Sequence, residues 1–394
     1  VLLVNPQIPR NFYNREFYLP SGVLYVAAAL RENGDEPRVV DFKTMQAKQS
    51  DPSDETYGNE LKRVVSEFQP ELIGFGGLFS GNFKDILRFS EMTRREFPEV
   101  PQVVGGSHPS MYTESVLNHC PSIDWLVLGE GESIVVELVN QLKTRKMDFG
   151  KLDGFAYRNK GIGRINPKTK YVGDIDSIPF PAYDLINMED YFVDTSQWHN
   201  PKGLKIGTEV PIISSRSCPN DCNFCASSKI MGRGWRARSP ENVVDEIQYI
   251  VERYGQGHFS FMDDNLTLSK PRTLGICNEI IRRGLDIQFE THNGVSISTL
   301  DDEVIDAMAA AGLTRIALPI ESGSDYIRNT VMGKRLSREK IFEVARSLRR
   351  HDQIYLRAFF IIGMPEETQE TLQDTYRMIE ELNVDRVHLT HIIP

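Results

Sequence analysis

The sequence predicts an α/β protein in which two strand–helix series follow one another, the second wound as a partial β/α barrel. Three observations carry this reading. Short apolar runs alternate with helical stretches from residue 1 to 142 and again from residue 206 onward. Alternation of this kind builds a parallel sheet covered by helices. Glycine-rich loops, GFGGLFSG, VGGSHPS and LGEGE, stand at the carboxyl ends of predicted strands in the first series. Such loops form the ligand crevice of open α/β sheets, and glycine lets backbone approach a bulky ligand, although tight turns alone would also explain them. The second series offers six strand positions and five intervening helices, fewer than the eight of a closed barrel.

In the first series, strands are expected at Leu2–Asn5, Arg38–Phe42, Leu72–Phe75, Gln102–Val104 and Trp125–Leu128. A helix spans Ser21–Asn33, with Ser21 as N-cap and Gly34 just past its end. Further helices run to Phe97 and to Leu142. Residues 1–145 form the first domain. Residues 146–205 mix Gly, Pro, Lys and Asp and read as a linker with a small β excursion. The second domain spans 206–394, with strands at Pro211–Arg216, His258–Asp263, Ile287–His292, Arg315–Ile320, Arg357–Ile362 and Arg386–Ile392. Helices at 240–254, 271–284, 301–311, 337–350 and 367–382 separate them.

Composition narrows the class. A chain of 394 residues with 40% hydrophobic and 25% charged residues is ordinary globular material. A net charge of −10 argues against general nucleic-acid binding, which needs a basic footprint. No apolar run approaches the roughly 18–20 residues of a membrane span, and no secretory leader is seen. The chain begins at Val1 and ends at Pro394 in an apolar run, so trimming at either end is expected. No Gly-x-Gly-x-x-Gly follows the first strand and no Walker loop is present, which removes the common nucleotide fingerprints.

Five cysteines occur, and three of them, Cys218, Cys222 and Cys225, lie within eight residues directly after the first strand of the second series. An odd, clustered set is not a disulfide framework; it points to a reducing cytoplasm and a metal centre. Zinc takes four protein ligands, or three with an open position. Cys120 and Cys277 are too remote to serve as the fourth. Three thiolates also suit a 4Fe–4S cluster with one iron left open. Spacing alone leaves both metals standing.

The Cys-x3-Cys-x2-Cys pattern, with Phe224 before the last Cys, resembles the signature of radical S-adenosylmethionine (radical SAM) enzymes. Phe261-Met-Asp-Asp-Asn-Leu-Thr, Ile320-Glu-Ser-Gly-Ser and Phe360-Ile-Ile-Gly-Met-Pro-Glu-Glu-Thr resemble later strand motifs of the same family, in the same order. Leu19-Pro-Ser-Gly-Val-Leu-Tyr, Val104-Gly-Gly-Ser-His-Pro and Leu128-Gly-Glu-Gly-Glu look like the Rossmann-like cobalamin-binding domain that precedes many radical SAM barrels. The resemblance covers nearly the whole chain. It departs from wider cobalamin proteins in lacking Asp-x-His-x-x-Gly; His108 has no such context, so no histidine of that motif is expected on cobalt.

The resemblance implies a 4Fe–4S cluster on the three cysteines, SAM on its open iron, and cobalamin in the first domain. It implies reductive SAM cleavage to a 5′-deoxyadenosyl radical and methyl transfer from methylcobalamin to an unactivated carbon, or phosphorus, of a small-molecule or lipid substrate. The alternative is an oxidative cyclase or rearrangement enzyme without net methyl transfer. A flavodoxin or ferredoxin is the expected reductant. For SAM, the expected contacts are Phe224, Asp263, Asp264, Asn293, Glu321, Ser322, Gly363 and Arg238, the last chosen from the basic run Lys229, Arg233, Arg236, Arg238. Each has a plainer alternative: loop packing, helix capping, turn bonding or a solvated face. His292, His388 and His391 are weaker candidates for the barrel interior. For cobalamin, the expected contacts are Ser80, Asn82, Gly105, Gly106, Ser107, Gly129, Glu130 and Gly131.

Overall fold

The computed structural model describes residues 1–8, 18–49, 52–78, 80–192, 202 and 208–392. The chain divides into two compact units.

The first unit comprises Val1–Gly173, Ser177–Val193 and Lys229–Gly232. Its strands are β1 (Leu2–Asn5), β2 (Arg38–Asp41), β3 (Ile73–Gly76), β4 (Gln102–Gly105), β5 (Trp125–Val127), β6 (Phe155–Asn159) and β7 (Ile162–Asn166). The sheet order is β2-β1-β3-β4-β5-β6-β7. The first five strands are parallel, and β6 and β7 add as an antiparallel hairpin. Alternate residues of each strand face opposite sides of a sheet. Leu2, Val4, Val104 and Leu126 therefore pack with Tyr57, Leu61 and Phe89 on one face. Leu3, Val103 and Val127 pack with Ala27, Leu30 and Leu138 on the other.

The small β excursion expected within the linker is present as the hairpin of β6 and β7, but it joins the first unit's sheet instead of standing apart, because β6 pairs with β5 and buries Phe155 and Ala156 in the two cores. Two helices between β2 and β3 were not expected; the first is Phe42–Gln49. The second is Asp54–Phe68; Ser53 caps it by accepting from the Thr56 N–H, and Asp54 and Glu55 sit in its first turn.

The second unit holds β8 (Val210–Ile212), β9 (Ser215–Arg216), β10 (Arg236–Ala237), β11 (His258–Phe261), β12 (Gln288–Thr291), β13 (Leu313–Glu321), β14 (Tyr355–Ile362) and β15 (Arg386–His391). Six of these form one parallel sheet, β15-β14-β13-β12-β11-β8, with β8 and β15 at its edges. This is the expected six-stranded partial barrel. The first expected strand breaks at Ile213–Ser214, and β9 turns away to pair antiparallel with β10. The intervening helices start where capping residues occur. Ser239, Asp301, Ser337 and Thr368 each accept a backbone N–H of the following turn. A π-helix at Tyr326–Val331 follows β13. Among the described residues, no helix is long and apolar enough to cross a membrane.

Candidate active site

The three cysteines lie on the loop that leaves β9. Ser217, just before Cys218, is fully buried and holds the left-handed backbone at φ 72°. Two bonds dock the loop onto the end of the π-helix: the Asn223 N–H donates to the Met332 carbonyl at 3.0 Å, and Asn223 Nδ2 donates to the Val331 carbonyl at 2.7 Å. Phe224 packs on the small apolar cluster of Ile327, Met332 and Met364. Local π-helical turns often mark functional sites; here the turn anchors the loop.

Charged and polar groups surround this loop. Lys334 Nζ pairs with Glu321 at 2.7 Å and lies 5.9 Å from the centre of the Phe224 ring. Asp264 accepts a bond from Ser227 Oγ at 2.6 Å, two residues past Cys225. Asn265 Nδ2 stands 3.8 Å from Cys218 Sγ. Burial pushes the Cys222 thiol up; Lys334 opposes this, while Cys225, Cys218 and Glu321 add to it. Among the described residues, no three His, Cys, Asp or Glu side chains already stand close enough together to hold a metal ion. The donor set still fits one. Three soft thiols share one short loop and feel one another's charge, and thiolates of that kind suit zinc or an iron–sulfur cluster. Cys277 is no fourth ligand: it is buried in the helix Lys270–Arg282, and burial pushes its thiol to about 12.

Strained backbone gathers at the same end of the strands. Glu321, Arg335 and Glu366 join Ser217 at positive φ. Such conformations cost roughly 1–3 kcal/mol each and collect at functional sites. Glu366 accepts from the Tyr326 hydroxyl at 2.5 Å. Gly363, at φ 84°, donates its N–H to Glu367 at 2.6 Å. Asn293 donates to the Met262 carbonyl at 2.8 Å, and Ser322 is fully buried, accepting from the Ser324 N–H at 3.2 Å. Both serve turn bonding in this structure. His292 bonds Glu290 at 3.2 Å, His388 packs edge-on against Phe359, and His391 is exposed.

Three of the expected cofactor contacts are engaged inside the protein in this structure. Asp263 is 2% exposed, and its carboxylate accepts from the Ser214 and Ser215 hydroxyls inside the protein. Burial raises its carboxyl, with Arg272 opposing. Arg238 is 5% exposed and is consumed by Glu246, Asn242 and the Ile213 carbonyl. Glu130, 4% exposed, accepts from the Val172 N–H at 2.9 Å. Each charge is satisfied internally, as buried charges must be. Sequence reasoning missed Lys334 and Asn265. Asn265 lay inside the quoted Asp-Asp-Asn motif, whereas Lys334 lies after an unrecognised helix.

In the first unit, the loops after β3 and β4 are stitched together. The Gly77 N–H donates to the Gly105 carbonyl at 2.6 Å, and the His108 N–H donates to the Gly77 carbonyl at 3.0 Å. Gly106 has φ 113°, and a Cβ there would meet the Gly77 oxygen at 2.7 Å. Ser107 begins the short helix that follows. Ser80 bonds His108 Nδ1 at 2.8 Å, and the ring lies between Phe83 and Tyr112. Asn82 is 7% exposed, and its Oδ1 is buried without a hydrogen-bond partner among the described residues. That oxygen suits an amide-bearing ligand such as cobalamin. Gly129, at φ 69°, approaches Lys168, and Gly131 precedes the helix Glu132–Thr144.

An open parallel barrel with a three-cysteine loop at its strand ends, in a chain that also carries a Rossmann-like unit, defines the class of two-domain radical enzymes. Comparison with known proteins narrows it. The B12 binding domain family matches residues 15–139, and the Radical SAM superfamily matches residues 212–379. The chain belongs to the cobalamin-binding radical SAM enzymes. It is 29% identical to an uncharacterized methyltransferase of Pyrococcus horikoshii, over 95% of this chain and 76% of that protein. It is 28% identical to the cytidylyl-2-hydroxyethylphosphonate methyltransferase of Streptomyces wedmorensis, over 97% of this chain and 77% of that protein. It is also 28% identical to the anaerobic magnesium-protoporphyrin IX monomethyl ester cyclase of Cereibacter sphaeroides, over 95% of this chain but 58% of that protein. The fold matches the solved radical SAM methyltransferase TsrM of Kitasatospora setae, with cobalamin and a 4Fe–4S cluster bound, at a TM-score of 0.77 and 19% identity, covering 99% of this chain and 71% of that one.

Proposed function

We propose that this chain is a cobalamin-dependent radical SAM methyltransferase acting on an unactivated carbon, or on phosphorus, of a small-molecule or lipid substrate. The observation that carries the reading is the three-cysteine loop, docked at the strand ends of a radical SAM barrel, in a chain that also has a B12 binding domain. Cys218, Cys222 and Cys225 would hold the 4Fe–4S cluster. When bound, these cofactors supply the electron, the radical and the methyl group; the protein supplies orientation and a dry site.

The chain's own residues have definable parts. Lys334 offers the cation for the SAM carboxylate, and Glu321 orients it. Phe224, between that lysine and the apolar cluster, offers a face to adenine. Asp264, exposed beside the loop, accepts from the methionine amino group. Asn82, Ser80 and the Gly105–Gly106 backbone hold cobalamin in the first unit. An electron from a flavodoxin or ferredoxin in a reducing cytoplasm completes the scheme. The methyltransferase relatives support methyl transfer. The cyclase relative supports the alternative, oxidative ring closure without net methylation.

The test is anaerobic. The protein is reconstituted with iron, sulfide and cobalamin, and SAM and a strong reductant are added. 5′-Deoxyadenosine and S-adenosylhomocysteine are then quantified by mass spectrometry. Both products, dependent on cobalamin and on intact Cys222, support methyl transfer. Deoxyadenosine without S-adenosylhomocysteine overturns it in favour of the cyclase reading.

A further inference from the structure

We infer that Asn265 is a positioning residue that sets the reduction potential of the cluster through an N–H···S bond to Cys218; this rests on the cluster assignment above. Asn265 follows β11 by four residues, and its side-chain nitrogen lies 3.8 Å from Cys218 Sγ. The residue is 1% exposed and cannot swing away. Its backbone carbonyl accepts from Trp235 Nε1 at 3.2 Å. Ser215 of β9, the strand that delivers Cys218, donates its hydroxyl to Asp263, two residues before Asn265, so the Asn265 backbone and the sulfur are tied to the same framework.

The orientation of the amide follows from charge. A cluster-bound cysteine is a thiolate, which accepts hydrogen bonds. Turning the amide round would aim its oxygen at that negative sulfur. The placement found leaves Asn265 Oδ1 buried with no partner among the described residues. A buried, unsatisfied carbonyl is costly, and an apolar side chain of the same size would avoid the cost. The amide is therefore explained by what its N–H does at the sulfur. The other cysteines are placed differently: Lys334 acts on both, and Asp264 also faces Cys225.

Hydrogen bonds to cluster sulfurs raise the reduction potential, because added electron density on sulfur strengthens the bond in the reduced state. Asn265 thus makes the one-electron reduction easier, the step that SAM cleavage depends on. It touches the ligand and not the reacting atoms.

The test compares the wild-type holoprotein with Asn265→Asp and Asn265→Leu. Iron and sulfide content are measured first, then the midpoint potential by an EPR-monitored titration without SAM. Both variants are expected to lower the reduction equilibrium about tenfold, a fall of about 59 mV for one electron. Asn265→Asp falls further, since it places a carboxylate at the sulfur. Where Asn265→Leu fails to fold, Asn265→Ala, which removes the N–H without adding charge, decides in its place. A wild-type potential in a variant with full cluster content overturns the inference and leaves the family reading intact. A wild-type protein that takes up no four-iron cluster overturns both.

Discussion

Asn223 donates its side-chain amide to the Val331 carbonyl at 2.7 Å, tying the middle of the three-cysteine loop to the last residue of the π-helix. One net hydrogen bond is worth about 0.5–1.5 kcal/mol. The Asn223→Ala variant is therefore expected to melt within a few degrees of wild type. Its loop, freed on one side, is expected to bind less iron after reconstitution. Iron per chain alongside a thermal melt checks this; equal iron content would show that the backbone bond to Met332 suffices.

Lys334 and Glu321 form a largely buried pair beside the cysteines. Replacing Lys334 with Met removes the cation offered to the SAM carboxylate. A charge-assisted bond contributes about 1.5–3 kcal/mol, so the KM for SAM should rise about ten- to a hundredfold. Steady-state deoxyadenosine formation at matched iron content measures it. An unchanged KM would remove Lys334 from the SAM site.

Arg238 gives the opposite expectation. Its guanidinium is enclosed with Glu246 and Asn242. Arg238→Met strands the buried Glu246 carboxylate, and breaking a buried pair in this way costs about 3–5 kcal/mol. Urea unfolding should show that loss while the folded fraction keeps a wild-type KM for SAM. A stable variant with a raised KM would return Arg238 to the cofactor.

The legible parts were those written in local patterns. The cysteine spacing and the strand–helix alternation announce themselves over a few residues, whereas the N-cap expected at Ser21 lies inside the helix, which Pro20 precedes without a side-chain cap. Side-chain direction was less legible. Asp263 and Asp264 are adjacent and chemically identical, yet one turns into the protein and the other to solvent, because successive residues leaving a strand point to opposite sides. The β excursion at β6 and β7 was legible, but its place in the first sheet was not, because β7 is largely exposed and carries no apolar alternation to mark a buried partner. Lys334 is brought to the cysteines by a π-helix, whose period no amphipathic pattern reports.

Gly106 is the point where the β3 and β4 loops touch. Alanine there meets the Gly77 carbonyl and must hold φ 113°. Strain of that kind costs about 1–3 kcal/mol. Gly106→Ala should lower the melting temperature and reduce the cobalamin retained after gel filtration. Wild-type cobalamin content in the folded variant would show that these loops do not hold the cofactor.

Glu290 lies inside the barrel wall as the meeting point of several elements. Arg315 of β13 and Arg357 of β14 each reach its Oε2 at 3.0 Å. Ser260 of β11 and His292 reach Oε1 at 3.2 Å, and Arg315 also pairs with Glu209. Burial pushes the Glu290 carboxyl up, but Arg357, His292 and Ser260 outweigh it and hold it below the ordinary range. The unfolded chain therefore takes up this proton first as the pH falls. The stability that Glu290 contributes is present above the unfolded value of about 4.3 and is lost as the pH drops through the lower folded value. Glutamine cannot follow that titration. Glu290→Gln should be less stable than wild type by about 3–5 kcal/mol at neutral pH, since two arginines lose their shared carboxylate. The difference should shrink steadily in urea melts carried below the unfolded carboxyl value. A gap that stays constant with pH would mean that the glutamate is held by shape and not by charge.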